Sequence, residues 1–474
     1  MPATKPIQLE SRDPVEIQPG ETDRFTHPLS GFNSFLYPFH SATYGFQQTT
    51  FTAWARAFRW WETCFDAEPL GAPLPYQTLT RDILAANREI CELMAKDYGK
   101  PSFEIEEVVI DGESVKVTER VVAQSPFCNL LHFKRKVKRN DPKVLIVAPL
   151  SGHFATLLRP TVKRMLEEHD VYITDWNSAR DVPLEAGDFG VDHYVSHVKQ
   201  FLEVVGPEAS VLAVCQPVVP VLAAVSLLAQ EESPHQPVAM VLMGGPVDTE
   251  AATSEVTELA EGNEIEFFEN NLIGVVPPGF PGAGRKVFPG FVALGSFLAM
   301  NPGRHVKSYM QIWNDRIQGR HAAADKKVRF YDEYNAVLDN YGRFYLETVQ
   351  EVFKDEDLAK GKMRHFGYLI EPALIKKTAL MTVEGARDDI SPPGQTTAAH
   401  ILCSGLKPEQ KFHYLEEEAG HYGIFSGRKW RNKVAPRITT FLRQVAEQRG
   451  LSYQPSTSQA EIATYCLSPE VSPK

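Results

Sequence analysis

The sequence predicts an open, doubly wound and mostly parallel α/β sheet with a helical cap inserted late in the chain. Three observations lead to this fold class. Short, almost continuous apolar runs recur along the chain, amphipathic helical stretches lie between them, and one long segment breaks the alternation. Apolar runs that alternate with helices are typical of a parallel sheet covered on both faces.

Six apolar runs are interpreted as strands: VLIVAPL (144–150), VYITDW (171–176), SVLAVC (210–215), PVAMVLMGG (237–245), TALMTVEG (378–385) and KFHYLEE (411–417). Helical stretches such as TLLRPTVKRMLEEHD and PVVPVLAAVSLLAQ connect them. This alternation brings the carboxyl ends of the strands to one edge of the sheet, where ligands bind in such folds.

The segment between Gly245 and Thr378 interrupts this rhythm with helix-like pieces around a Gly/Pro-rich apolar stretch. An insertion at this point would lie above the carboxyl edge of the strands. We interpret residues 248–372 as a cap or lid, between a core formed by 101–247 and 373–448. An unrelated helical domain is the alternative, because surface loops accept insertions freely.

The two ends of the chain differ from this core in composition. Residues 1–40 predict a poorly ordered segment and residues 449–474 a flexible tail, since both are polar and contain Pro, Ser and Thr. Residues 41–100 predict a helical region.

An aromatic stripe lies in that helical region, at steps of three and four residues along one helix: Phe51, Trp54, Phe58, Trp61 and Phe65. Burial against the protein's own core is the common outcome for such a stripe. Contact with a hydrophobic polymer or granule surface is the alternative, and the sequence does not separate the two.

The bulk composition excludes several classes of protein. Hydrophobic residues make up 43% and charged residues 23% of the 474 residues, which is typical of a globular protein. The net charge of −11 argues against a nucleic-acid binder. No apolar run is long enough to span a membrane, and the first residues contain no secretory signal, so we expect a cytoplasmic protein.

The six cysteines are scattered without close spacing, which favours reduced thiols over a disulfide framework or a zinc site. Neither an HExxH motif nor a glycine-rich phosphate loop or dinucleotide fingerprint is present. We therefore expect no metal and no cofactor.

The candidate nucleophile is Cys215, at the junction of the run SVLAVC and the helical stretch that follows it. Pro217 suits the first turn of that helix, because its missing N–H is not needed there. The start of the helix would favour the thiolate, and the backbone N–H of Gln216 could donate to an oxyanion. A nucleophile elbow usually has glycines two residues before and after the nucleophile, whereas this chain has Ala213 and Pro217.

An acid and a base follow the last two predicted strands. Asp388 and Asp389 lie in GARDDISPPGQT after the strand TALMTVE, and His421 lies in AGHYGIFSG after the strand KFHYLEEE. The chain order of nucleophile, acid and histidine is that of α/β-hydrolases. We therefore expect His421 to be the general base and an aspartate to orient it, with Asp388 preferred to Asp389.

The loop PLSGHF follows the first of the six runs, and such loops supply the second oxyanion N–H in these folds. Ser151 or Gly152 would donate it, and His153 would line the substrate pocket.

Other histidines compete with His421 for the role of base. His193 and His197 lie on a helical stretch and His413 lies inside a predicted strand, so we expect them to be packing or surface residues.

At these residues the sequence resembles the intracellular poly(3-hydroxybutyrate) depolymerases, which are α/β-hydrolases with a cysteine where most relatives have serine. The similarity runs from about residue 95 to about residue 445, and the matching stretches are APLSGHFATLLRPTV, VYITDWNSARDVPLEAGDFGVDHYV, VLAVCQPVVPVLAA, VEGARDDISPPGQT and AGHYGIFSGRKW. The sequence AVCQP in place of a glycine-flanked elbow is itself similar to the family pattern.

The resemblance implies that Cys215 is the nucleophile, Asp388 the acid and His421 the base. It also implies amorphous polyhydroxybutyrate in cytoplasmic granules as the substrate. Cleavage would pass through an acyl thioester, so a thiol such as coenzyme A could replace water as the acceptor; hydrolysis is our main prediction.

Three alternatives stay open. A polyhydroxyalkanoate synthase resembles this chain in fold and nucleophile, although synthases normally keep the glycines around the cysteine. A small-ester or thioester hydrolase of the same fold is the second alternative, and an inactive protein that coats granules is the third. Oligomeric state is not indicated by the sequence.

Overall fold

The computed structural model describes residues 6–9, 48–64, 75–96, 98–300, 302–456, 458 and 460–465. Its strands are β1 (Ile7–Gln8), β2 (Glu107–Ile110), β3 (Glu113–Gln124), β4 (Cys128–Arg135), β5 (Lys143–Val147), β6 (Asp170–Trp176), β7 (Ser210–Val214), β8 (Ala239–Met243), β9 (Gly274–Val275), β10 (Lys286–Phe288), β11 (Asn340–Tyr341), β12 (Arg364–His365), β13 (Tyr368–Leu369), β14 (Ala379–Gly385) and β15 (Lys411–Glu416). Its α-helices are α1 (48–64), α2 (Pro75–Ala95), α3 (Arg159–Met165), α4 (Val191–Val205), α5 (Val218–Gln230), α6 (Glu255–Glu261), α7 (Ile265–Leu272), α8 (Gly290–Met300), α9 (Pro302–Ile317), α10 (His321–Tyr334), α11 (Gly342–Glu347), α12 (Ala399–Leu402), α13 (Gly427–Lys429) and α14 (Ala435–Gln448).

The central sheet has the strand order β1-β3-β4-β6-β5-β7-β8-β14-β15, with β2 paired to β3. Every pair from β6 to β15 is parallel, whereas β3–β4 and β4–β6 are antiparallel. Each of the six apolar runs forms one of the strands in the parallel part. This arrangement is that of the α/β-hydrolase fold and confirms the predicted fold class.

The parallel strands are buried on both faces, which explains their continuous apolar sequence. Every residue of β7, β8 and β14 is buried. Helix α5 is buried at every position from Val218 to Leu228, as expected for a helix that is apolar all round. The start of α5, directly after β7, is thereby held in a fixed position.

The segment predicted as a cap forms helices α6 to α11, a π-helix (Thr348–Lys354) and the small sheet β9-β10-β11. It leaves the core after β8 and returns to it at β14. Helix α2 from the N-terminal region packs on this cap, because Leu93 shares an apolar cluster with Leu294, Ile312 and Ala324.

The aromatic stripe of α1 is only partly buried, since Phe51 and Phe58 are half-buried and the two tryptophans are exposed. Trp54 and Trp61 are 56% and 52% exposed. Arg59 and Glu62 form ion pairs with Glu92 and Arg88 of α2. Helix α1 is therefore joined to α2 by ion pairs while its two stripe tryptophans stay exposed; Phe65 lies outside the described residues.

The described residues of the predicted C-terminal tail form hydrogen bonds with the core. The side chains of Ser456 and Ser458 donate to the carboxylate of Glu168, and Tyr465 N donates to Lys411 O at 2.7 Å. Of the predicted disordered segment 1–40, only residues 6–9 are described, and they include β1, which pairs with β3.

The described residues contain no helix that is long and apolar enough to cross a membrane. In the same part of the chain, no group of His, Cys, Asp or Glu is arranged to hold a metal ion. The five described cysteines are free thiols, and Cys466 lies outside the described residues.

Candidate active site

Cys215 occupies a sharp turn between β7 and α5. Its φ of +70° lies in the left-handed region, which residues other than glycine rarely adopt and which is strained. The turn is held because Cys215 N donates to Met243 O at 2.7 Å and Val218 N donates to Cys215 O at 3.2 Å. A strained strand-to-helix turn of this kind is the geometry of a nucleophile elbow.

Gly244 and Gly245, at the end of β8, provide the space that the elbow needs. A Cβ atom at position 245 would lie 2.2 Å from Cys215 O and 2.4 Å from a methyl carbon of Val218. At Gly244, where φ is +51°, a Cβ atom would lie 3.2 Å from Asp388 Oδ2. Positions 213 and 217 lack the usual elbow glycines, and Gly244 and Gly245 of the neighbouring strand leave the space around Cys215 instead. This role of the two glycines was not predicted from the sequence.

His421 and Asp388 form a buried pair beside this turn. The distance from His421 Nδ1 to Asp388 Oδ2 is 2.9 Å, and both side chains are almost completely buried. The other oxygen, Asp388 Oδ1, accepts hydrogen bonds from the backbone N–H groups of Ile390 and Ser391, each at 2.9 Å. Asp389, the alternative acid, is exposed.

Asp388 and Cys215 both shift the pKa of His421. Burial lowers the pKa of His421, but the Asp388 carboxylate and the Cys215 side chain, each also hydrogen-bonded to the ring, raise it more. The net pKa lies well above its ordinary value of 6.5. The ring of His421 thus lies between an acid and a thiol, which is the arrangement in which a histidine activates a cysteine nucleophile.

Glu384 and Thr396 hold the loop that carries Asp388. The buried carboxylate of Glu384 accepts from the backbone N–H groups of Gly394, Thr396 and Thr397 at 2.9 to 3.0 Å. The hydroxyl of Thr396 accepts from Gly245 N at 2.8 Å and donates to Gly245 O at 2.9 Å. The loop of the acid is therefore bonded directly to the residue that packs under Cys215.

The loop after β5 lies at the same edge, as the sequence predicted. Ser151 lines the cavity next to Cys215 and Gln216, and Gly152 adopts a φ of +116°, which favours glycine. The side chain of Gln216 accepts a hydrogen bond from Leu150 N at 3.1 Å. This bond ties the loop to the elbow, a role of the Gln216 side chain that was not predicted from the sequence.

His153 also lines the cavity but is placed for a different role from His421. Its Nε2 lies 3.0 Å from the carbonyl oxygen of Tyr334, and burial lowers its pKa to about 4. A histidine that stays neutral and is bonded to a backbone carbonyl acts as a wall of the pocket.

The remaining histidines lie elsewhere. His197 bonds Ser125, His413 bonds Thr382, and His193 contacts the rings of Phe189 and Phe366.

A cavity of about 560 Å³ opens above Cys215 and His421. The core supplies its floor, and the cap supplies apolar walls that include Leu259, Phe268, Phe344 and Phe353. Neither lysine nor arginine is found among its described lining residues. The site therefore presents a thiol, a histidine and the loop after β5 to a largely apolar space, in which Glu255 is the one acidic group among the described lining residues.

Residues 244–446, less than half of the chain, match the family described as PHB de-polymerase C-terminus. The match confirms, over this range, the resemblance found in the sequence. It also supports the coarser functional prediction, a hydrolase of ester bonds. No curated protein sequence matches the chain.

Three solved structures illustrate what the chain is similar to. A membrane phospholipase A, described as a bacterial virulence factor, is 13% identical over 69% of this chain and 86% of its own, with a TM-score of 0.37. An α/β-fold hydrolase from Bacillus anthracis str. Sterne is 12% identical over 69% of this chain and 99% of its own, with a TM-score of 0.38. A thermophilic esterase from Thermogutta terrifontis is 13% identical over 70% of this chain and 99% of its own, with a TM-score of 0.36. The fold class itself rests on the strand order of the central sheet.

Proposed function

We propose that the protein hydrolyses the ester bonds of a polyhydroxybutyrate-type storage polyester through Cys215, His421 and Asp388. The observation that carries this proposal is the buried His421–Asp388 pair beside Cys215, on the floor of an apolar cavity. The match of residues 244–446 to the PHB de-polymerase family supports the substrate class.

The reaction begins when the Cys215 thiolate attacks an ester carbonyl carbon and forms a tetrahedral oxyanion. The backbone N–H groups of Gln216 and Ser151 stabilise this oxyanion. The C–O bond then breaks, and protonated His421 donates its Nε2 proton to the leaving alkoxide, which departs as an alcohol. The products of this half are a chain end with a free hydroxyl and a 3-hydroxyacyl thioester on Cys215.

The second half returns the enzyme to its starting state. His421, now neutral, takes a proton from a water molecule that attacks the thioester carbonyl. The C–S bond breaks, the carboxylic acid leaves, and the thiolate–imidazolium pair forms again. Asp388 holds the imidazole in the orientation and tautomer that both steps require.

The character of the cavity supports water over coenzyme A as the acyl acceptor. Coenzyme A carries several phosphate charges, and arginine or lysine usually pairs with such groups. Among the described lining residues the one acidic group is Glu255, and no cationic lysine or arginine is present. This wall suits an uncharged polyester chain. Association with cytoplasmic granules stays a prediction from the family resemblance.

The test is release of 3-hydroxybutyrate from amorphous polymer granules by the native protein, Cys215→Ala and the control Cys91→Ala, in which a half-buried thiol of α2 is removed. We expect release by the native protein and by Cys91→Ala, and near-complete loss in Cys215→Ala. Equal release by the native protein and Cys215→Ala would contradict the mechanism. Release of product from short soluble esters but not from granules would contradict the polymer substrate and favour a small-ester hydrolase.

A further inference from the structure

Residues 334–340 of the cap run along residues 150–153, the loop after β5 that is predicted to supply an oxyanion donor. The carbonyl of Tyr334 faces His153, Leu338 N donates to Gly152 O at 2.8 Å, and Asn340 Nδ2 donates to Leu150 O at 2.8 Å. As the residue number rises in the cap, it falls in the loop, so the two segments are antiparallel, and His153 and Val337 form an antiparallel bridge. The cap therefore contacts this loop through its backbone as well as covering the cavity.

The peptide group between Leu150 and Ser151 is the centre of this contact. Its carbonyl oxygen accepts from Asn340, and the preceding N–H of Leu150 donates to the side chain of Gln216. A peptide group is planar and trans, so its N–H points away from its C=O. Because Asn340 fixes the direction of the Leu150 carbonyl, it also fixes the direction of the Ser151 N–H.

The surroundings of Asn340 show that its amide is not placed for stability alone. The residue is 3% exposed, and its Oδ1 is buried without a hydrogen-bond partner in the described part of the chain. A buried acceptor without a partner costs about 1–3 kcal/mol. Turning the amide over would bring Oδ1 against the Leu150 carbonyl oxygen, so the observed orientation is the one that bonds. An unsatisfied buried group in a native structure calls for an explanation, and a catalytic role is one of those known.

We propose that Asn340 is a positioning residue that the cap supplies to the oxyanion site. It lines the cavity, and its role there is to hold the Leu150–Ser151 peptide so that the Ser151 N–H faces the oxyanion formed at Cys215. Gln216 contributes to this site twice. Its backbone N–H is one of the two oxyanion donors, and its side chain holds the loop that carries the second donor, the Ser151 N–H. This inference rests on the proposed function.

The experiment compares native protein, Asn340→Leu and Asn340→Ala, with Asn177→Leu as the matched control, since Asn177 Nδ2 donates to Pro126 O at 3.0 Å outside the cavity. The readouts are kcat and KM for 4-nitrophenyl butyrate, the rate of Cys215 alkylation by iodoacetamide, and the thermal unfolding midpoint. Alkylation needs the thiolate but no oxyanion donor. Two substitutions at position 340 are used so that one that fails to fold does not decide the result.

We expect kcat to fall about 10- to 100-fold in both position-340 variants, approaching the loss that follows removal of an oxyanion donor. KM, the alkylation rate and the behaviour of Asn177→Leu should stay close to native. In a Gln216→Leu/Asn340→Leu double variant, the combined loss should be smaller than the product of the single losses, because the two side chains hold the same residue, Leu150, through its N–H and its carbonyl group.

An unchanged kcat in a folded position-340 variant, with native protein active and Cys215→Ala inactive, would overturn this inference alone. Alkylation that slows in parallel with kcat would also overturn it, because the damage would then be general. Ester hydrolysis that persists in Cys215→Ala, or is absent from the native protein, would overturn the proposed function and this inference with it.

Discussion

Replacing Gly245 with alanine tests the packing under Cys215. The new Cβ atom would lie 2.2 Å from Cys215 O, whereas real Cβ atoms essentially never approach a neighbour closer than 3.0 Å. The elbow or the end of β8 must therefore move by about 0.8 Å or more. The obstacle at Cys215 is backbone, so no side chain can rotate to relieve it.

The size of the effect follows from that displacement. A misplacement of about 1 Å at a catalytic group costs on the order of 10²-fold in rate, which corresponds to about 2.7 kcal/mol of transition-state stabilisation. Overpacking of a well-packed interior costs about 1–3 kcal/mol of folding free energy. We expect Gly245→Ala to fold, to unfold at a lower temperature, and to lose about 10²-fold in kcat/KM.

The assay is kcat/KM on a soluble butyrate ester, beside urea unfolding of the same preparations. Gly303→Ala is the control, because a Cβ atom at Gly303 in α9 meets nothing within 4 Å. That variant should keep native activity and native or slightly higher stability. Native activity in Gly245→Ala would refute the reasoning that this glycine sets the position of Cys215.

Three further predictions concern other parts of the structure. Asp388→Asn should lower kcat about 10³- to 10⁴-fold, because the imidazole loses its fixed tautomer, while exposed Asp389→Asn should stay near native; the reverse order in an ester assay would identify Asp389 as the acid. Glu351→Gln should raise the thermal midpoint more at pH 8.5 than at pH 5. Burial and then neighbouring carboxylates raise the Glu351 pKa to about 8, so the stability that its neutral form contributes is fully present below its ordinary value of 4.5 and is lost as pH rises through 8. An equal gain at both pH values would show that this carboxyl does not titrate as its surroundings indicate. Ser456→Ala/Ser458→Ala should lower the urea unfolding free energy by about 1–3 kcal/mol without changing activity, because both hydroxyls donate to a buried carboxylate; unchanged stability would mean that the tail is not anchored there.

The sequence was informative wherever burial on both sides imposes a pattern. The strands β5, β7, β8 and β14 are enclosed by helices, so nearly every position must be apolar, and the runs are visible without an alignment. Strand β3 was not predicted, because most of its twelve residues are exposed and carry polar or charged side chains. A strand with water on most of its surface leaves little periodic signal.

The same contrast holds at the candidate site. Cys215, Asp388 and His421 each follow a recognisable strand, so their convergence could be predicted from topology. Asn340 could not be found in that way, because its partner Leu150 is 190 positions away and β11 has only two residues. For Gly244 and Gly245 the doublet at the end of an apolar run was a usable signal, since paired glycines there indicate close approach of another backbone.

The packing of α2 on the cap has a consequence for how the chain is made. The partners of Asn87 and Glu89 in α9, Trp313 and Arg316, come 226 and 227 positions later. At synthesis rates of about 5–20 residues per second, α2 waits for about 10 to 45 seconds before these partners leave the ribosome. During that time the apolar face around Leu93 has no native cover, and non-local closure of this kind is slow. Helix α2 therefore reaches its neighbours in α9 only after a long stretch of the chain has been made, and during that interval its apolar face needs protection from aggregation.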